Sequence, residues 1–170
     1  GEERGEAHRL PPVLIATWNV NSLNARMPRV EEWLEEVQPD VLCLQETKMS
    51  DAQFPGMDFQ RLGYDTVHHG EGRWNGVAIL SKVGIDDVVA GFDDGSDPDP
   101  DARMLWATCG GVRIGSLYVP NGREVGHDHV EGFAELAGSQ VADVGPLDVV
   151  DPGTVPEALV KLTVAHVDAH

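Results

Sequence analysis

The chain has 170 residues and a formal net charge of −17, with 12 basic residues against 29 acidic ones. That length serves one domain with a real core, and that charge excludes binding of nucleic acid by bulk attraction, though not local capture of phosphate through a cation. No apolar run is long enough to span a bilayer and no signal-peptide pattern is present, so the expected location is the cytoplasm.

Residues 1–12, GEERGEAHRLPP, are polar and close on a proline pair, and read as a flexible lead. VLIATWNV (13–20) is an apolar strand running into a polar mouth at Asn19 and Asn21. Pro28 suits the first position of a helix. Val30, Trp33, Leu34 and Val37 then recur at i, i+3, i+4 and i+7, with Glu31, Glu32, Glu35 and Glu36 outward. Pro39 ends that helix. VLCLQETK (41–48) follows, and its unbroken apolar start marks a strand buried on both faces. It delivers a carboxylate, Glu46, to the strand's mouth. A polar residue there is often only the exit, but open α/β sheets also gather chemistry at strand ends.

A loop through Pro55 and Gly56 leads to NGVAILSK (75–82), another buried strand, and IDDVVAGF (85–92) is a weaker one toward an edge. DDGSDPDPDA (93–102) reads as a solvated loop, since it lacks the Asp-x-Asp-x-Asp-Gly order and closing glutamate of a calcium loop. RMLWATC (103–109) and VRIGSLYVP (112–120) form a hairpin turning at Gly110-Gly111. Cys43 and Cys109 lie in apolar strand runs and read as reduced core residues. The succession gives an α/β fold with a mixed, mostly antiparallel sheet covered by helices on one face.

After His129 the texture changes: one basic residue, no Trp or Tyr, and Gly or Pro at short intervals. Phe133, Leu136 and Ala137 permit a short helix, and ALVKLTVAHV (158–167) suits either a strand or a helix. His166 and His170 alone are too few for a metal site.

Together, TWNVNSL (17–23), LQETK (44–48), WNGVAILSK (74–82) and LYVPNGR (117–123), in this order, resemble the exodeoxyribonuclease III family of the endonuclease/exonuclease/phosphatase superfamily, which includes abasic-site endonucleases. The resemblance covers about residues 13–129. It implies the N-terminal half of a four-layered, deoxyribonuclease I-like α/β sandwich. It also implies a Mg²⁺ or Mn²⁺ site above two packed sheets, and hydrolysis of duplex DNA at 3′ ends and beside abasic sites.

Carried onto this sequence, Glu46 takes the place of the metal-ligating glutamate, a hard oxygen ligand at a strand end. Asn19 takes that of the asparagine beside metal and phosphate. Tyr118 matches the active-site tyrosine, a donor to charge developing on phosphate; without the resemblance it is an ordinary half-buried strand tyrosine. Asn21 stands where relatives have Asn or Asp, and Asn121 matches a phosphate-contacting turn. Lys48 and Arg26 are candidate contacts to the DNA backbone or solvated surface. Trp74 and Asn75 either touch DNA or cover the core. Asn24 stands where many relatives have arginine.

The family's second half carries Gly-Asp-x-Asn, a further aspartate and Ser-Asp-His, and this sequence has neither motif; Asp168-Ala169-His170 lacks the serine. The expectation is therefore a lead (1–12), a half-domain (13–129) and a divergent, truncated or frame-shifted tail (130–170), inactive because only the metal side of the site is present. Duplex DNA with abasic sites or 3′ ends is the expected partner, with no membrane and no protein partner indicated. The inner face of NGVAILSK is expected to be partly uncovered, favouring self-association. Two alternatives stand: a superfamily phosphoesterase acting on an RNA, lipid or inositol phosphate, and a non-catalytic metal- or DNA-binding remnant.

Overall fold

The computed structural model describes residues 13–91 and 101–119, and the backbone of residues 163–166. The expected lead, Asn121, most of the acidic segment and most of the tail lie outside the described residues.

The order of elements is β1 (Ile15–Asn19), α1 (Leu23–Val37), β2 (Val41–Gln45), a 3₁₀ turn (Asp51–Gln53), α2 (Gly56–Arg61), β3 (Asp65–His69), β4 (Val77–Ser81), β5 (Asp86–Ala90), β6 (Met104–Cys109), β7 (Val112–Leu117) and β8 (Thr163–His166). They make two four-stranded sheets, β1-β2-β4-β3 and β5-β6-β7-β8. The first is mixed, because β1 and β2 run parallel through the α1 crossover while β2–β4 and β3–β4 are antiparallel. The second is antiparallel throughout.

Strand parity divides the core. Leu42 and Leu44 of β2 and Ala78 and Leu80 of β4 share one cluster with Val30, Trp33 and Leu34 of α1 and with Phe59 of α2. The alternate residues Val41, Cys43, Val77 and Ile79 face the second sheet and pack with Leu105, Ala107, Cys109 and Ile114. Successive side chains on a strand point to opposite faces, so these apolar runs feed both clusters. Trp18 and Trp33 meet edge to face, with ring centroids 5.9 Å apart. Cys43 and Cys109 are buried and not joined in a disulfide, as the strand placement predicts. Among the described residues no helix is long and apolar enough to cross a membrane.

Three expectations are corrected. First, α1 begins at Leu23 with Pro28 inside it, rather than at Pro28. Ser22 caps it by accepting the Ala25 N–H at 3.4 Å, and the Ser22 and Leu23 amides donate to the carbonyls of Glu46 and Thr47 at 2.8 and 3.0 Å. Pro28 sits on the exposed side, so the carbonyl left without its amide faces water. At the other end, Gln38 takes the left-handed conformation and Pro39 follows.

Second, α2 and β3 occupy part of the stretch read as loop. Third, the inner face of β4 is covered: Val77 and Ile79 are 0% exposed, packed against β6 and β7. Three of the second sheet's four strands, β5, β6 and β7, lie within residues 86–117, so the strands packed on β4 precede the tail. Among the described residues the exposed large hydrophobics are Met57, Trp74, Val83 and Val88, none of them on β4. The backbone of β8 pairs with β7 as an antiparallel strand, which decides between the two readings of ALVKLTVAHV for residues 163–166.

Candidate functional site

Because β1 and β2 are parallel with Asn19 opposite Gln45, their carboxyl ends emerge side by side. The end of β7 joins them. Ser116 Oγ donates to the Leu44 carbonyl at 3.1 Å, and Gln45 Nε2 donates to Thr17 Oγ1 at 3.0 Å and Ser116 Oγ at 3.3 Å. This buried amide-hydroxyl network pins the two sheets together just below the strand mouths.

Above it, Glu46 Oε1 accepts Asn19 Nδ2 at 2.8 Å, and Asn19 Oδ1 accepts the Asn21 N–H at 3.0 Å. Lys48 Nζ donates to Asn21 Oδ1 at 2.5 Å and stands 3.4 Å from Glu46 Oε2. The Tyr118 phenol donates to Glu46. Its pKa is pushed up to about 12 by burial, then by the Glu46 charge and that hydrogen bond, against the opposing Arg103 guanidinium. Arg103 is itself buried, with its side chain paired to Asp101 at 2.9 Å, and its carbonyl accepts the Tyr118 N–H at 2.8 Å.

Glu46 and Lys48 both have φ +53°, and Asn21 has φ +43°. Three non-glycine residues in the left-handed region within one hydrogen-bonded cluster cost of order 1 kcal/mol or more each, and such strain concentrates at functional sites. The bend lifts the Glu46 carboxylate out of the sheet toward Asn19.

Five residues singled out in the sequence therefore meet in one network: Asn19, Asn21, Glu46, Lys48 and Tyr118. Asn75 touches its rim through its carbonyl, which accepts the Lys48 N–H at 3.0 Å, while its side-chain amide donates to Glu71 at 2.5 Å. Trp74 is 65% exposed beside it and does not cover the core. Arg26 is exposed in the opening turn of α1. Asn121 lies outside the described residues. Arg103 was missed, although an arginine heading an apolar strand run was the available signal. Thr17, Gln45 and Ser116 carried no such signal.

Among the described residues no group of three or more His, Cys, Asp or Glu side chains is placed to hold a metal ion. This does not suit zinc, which takes several protein nitrogen or sulfur ligands. It does suit a hydrated hard cation that takes one or two carboxylates and keeps several waters. The Glu46 side chain is oriented by Asn19 and still 19% exposed, and so remains reachable.

Residues 16–144 match the Endonuclease/Exonuclease/phosphatase family. Over 116 residues the chain is 34% identical to exodeoxyribonuclease III of Haemophilus influenzae, an overlap of 66% of this chain and 43% of that protein. An AP endonuclease structure from Archaeoglobus fulgidus superimposes with a TM-score of 0.68 at 38% identity, covering 74% of this chain and 49% of that one. A 3′ phosphatase from Neisseria, bound to a product DNA hairpin, gives 0.67 at 37% identity, covering 75% and 49%. The chain thus spans about half the length of the proteins it matches.

Proposed function

The chain belongs to the endonuclease/exonuclease/phosphatase family, and from that premise we propose that it carries the metal-binding half of an exodeoxyribonuclease III-type phosphodiester hydrolase acting on DNA. One observation supports this above the rest: Asn19, Glu46 and Tyr118, from three strand ends, lie in one hydrogen-bonded cluster with Lys48 at its rim.

In this reading Glu46, with Asn19 beside it, holds Mg²⁺ or Mn²⁺. When bound, the cation supplies Lewis-acid polarisation of a phosphoryl oxygen. Asn19 orients the carboxylate through its amide. Tyr118, kept protonated beside Glu46, retains a proton to donate toward a phosphate oxygen as charge develops. Lys48 balances the Glu46 charge and offers an ammonium to phosphate. Asn21, Trp74 and Asn75 at the rim, Arg26 in the opening turn of α1 and, by its place in the sequence motif, Asn121 are the candidate contacts to duplex DNA with abasic sites or 3′ ends. The groups that would activate water are those of the two motifs missing from the sequence, so the chain alone binds without turnover.

The test is fluorescence anisotropy of a duplex bearing an abasic-site analogue, with and without Mg²⁺, alongside a strand-break assay on an abasic duplex. Metal-dependent binding lost in Glu46→Gln, with no cleavage above background, is the expected result. Binding indifferent to metal and to Glu46 would sink the DNA reading, and cleavage would refute the incomplete site. The net charge of −17 favours a second reading, a smaller phosphoester such as an inositol phosphate. Mg²⁺-dependent binding of that ligand in a calorimetric titration, with no binding of the duplex, would establish it instead.

A further inference from the structure

Thr47 lies between Glu46 and Lys48, both left-handed, and its side chain points inward, 0% exposed. Its Oγ1 is 2.8 Å from His68 Nε2, while His68 Nδ1 is 2.7 Å from Asp51 Oδ1. The same carboxylate oxygen accepts the Gly70 N–H at 2.9 Å. Phe54 stacks on the imidazole, with centroids 4.3 Å apart and planes 15° from parallel, and the His68 side chain is only 3% exposed.

This geometry fixes the protons. An ionised carboxylate only accepts, so His68 Nδ1 carries the hydrogen. Burial pushes the His68 pKa below its ordinary value despite the pull of Asp51, which keeps the ring neutral at pH 7 and Nε2 bare. Thr47 Oγ1–H therefore donates to Nε2. A hydroxyl, an imidazole and a carboxylate in sequence suggest a nucleophile, but the complete burial of Thr47 denies it any substrate.

We propose that Asp51, His68 and Thr47 form a positioning relay for the metal site. Asp51 sets the imidazole tautomer, the imidazole anchors the Thr47 hydroxyl, and Thr47 holds Glu46 and Lys48 in the conformation that presents both to Asn19 and Asn21. The backbone around it is tied in the same sense: Thr47 and Lys48 donate to the carbonyls of Gly76 and Asn75 at 3.2 and 3.0 Å, and the Ser22 N–H donates to the Glu46 carbonyl at 2.8 Å. The relay rests on the reading of Glu46 as a metal ligand, and its residues act through Thr47 rather than touching metal or substrate.

The test compares Thr47→Val, nearly isosteric without the hydroxyl, and Thr47→Ser, which keeps it, in the full chain. Calorimetric Mn²⁺ titration and amide exchange by NMR are the readouts, with the imidazole ¹⁵N spectrum reporting the tautomer. Thr47→Val should weaken Mn²⁺ binding about tenfold, the low end for groups that orient a metal ligand. It should also speed exchange of the Ser22 and Lys48 amides about tenfold while leaving the amides of β2 and β4 unchanged. Thr47→Ser should stay within about twofold of wild type on both. Unchanged binding in Thr47→Val, equal losses in Thr47→Ser, a protonated Nε2, or faster exchange throughout the sheet would each overturn the relay. Equal Mn²⁺ binding by wild type and Glu46→Gln would instead sink the metal reading, and the exchange rates alone would then uphold or overturn the relay.

Discussion

Replacing Gly76 with alanine measures how tightly the Glu46 bend is seated. Gly76 has φ +93°, and an ideal Cβ there would lie 2.1 Å from Thr47 Oγ1. Gly63 is its natural control, with φ +89° and nothing within 4 Å. Gly63→Ala thus reports the backbone penalty alone, about 1–2 kcal/mol for an L side chain in a left-handed conformation. Gly76→Ala carries that penalty and a collision as well. Thr47 is 0% exposed and cannot turn outward, so its Oγ1 is forced away from His68 and the 2.8 Å hydrogen bond is lost. A broken buried hydrogen bond with an orphaned partner costs about 1–3 kcal/mol. The expected destabilisation is about 2–5 kcal/mol for Gly76→Ala, against about 1–2 kcal/mol for Gly63→Ala. Urea unfolding followed by circular dichroism gives both values. Equal losses in the two variants would show that Thr47 has room to move and refute the close packing beneath Glu46.

Ile79→Ala should cost about 2–5 kcal/mol in the same assay, since the side chain is fully buried between the sheets; a loss below about 1 kcal/mol would show an open inner face. Tyr64 and Tyr118 are both raised to about 12, chiefly by burial. Their contribution is complete below the unfolded tyrosine value of 10 and is lost as pH rises through 12, so stability should fall in that window and fall less in Tyr118→Phe. His68 is lowered by burial, so its contribution is complete above 6.5 and declines as pH falls below that value; chemical unfolding across pH 7 to 5 should show the decline and His68→Phe should lack it. Cys43 and Cys109 are buried, and burial raises the Cys109 thiol, so a thiol reagent should label neither until the chain unfolds.

The strands buried on both faces were legible because their apolar runs are continuous, as in Val41–Gln45 and Val77–Ser81. Asp65–His69 was not: it is a polar strand that, among the described residues, lies at the sheet edge beside β4, so no apolar pattern marks it. Pro28 misled the helix start, because a proline that suits a first turn is also tolerated on an exposed flank when capping and tertiary hydrogen bonds fix the real start. Glu46 and Asn19 were legible as polar groups at strand mouths and Tyr118 only through the family resemblance, but no local pattern reveals the left-handed bend at Glu46 and Lys48. The Thr47–His68–Asp51 chain was hidden for a related reason. Its members lie on separate segments and meet only because β3 takes the sheet edge beside β4. The covered face of β4 was misjudged because the strands were read as one mixed sheet, whereas β5, β6 and β7 pair into a second sheet that packs on it.

On a chain with this many surface acids, paramagnetic broadening by Mn²⁺ distinguishes a divalent-cation site anchored by Glu46 at the converging strand ends from diffuse binding. Substoichiometric Mn²⁺ added to the ¹⁵N-labelled protein should broaden amides of Asn19–Ser22, Gln45–Lys48 and Tyr118 first, and Glu46→Gln should abolish that pattern. Broadening centred instead on the acidic flank of α1 around Glu31, Glu32, Glu35 and Glu36, unchanged in Glu46→Gln, would show that Glu46 anchors no cation.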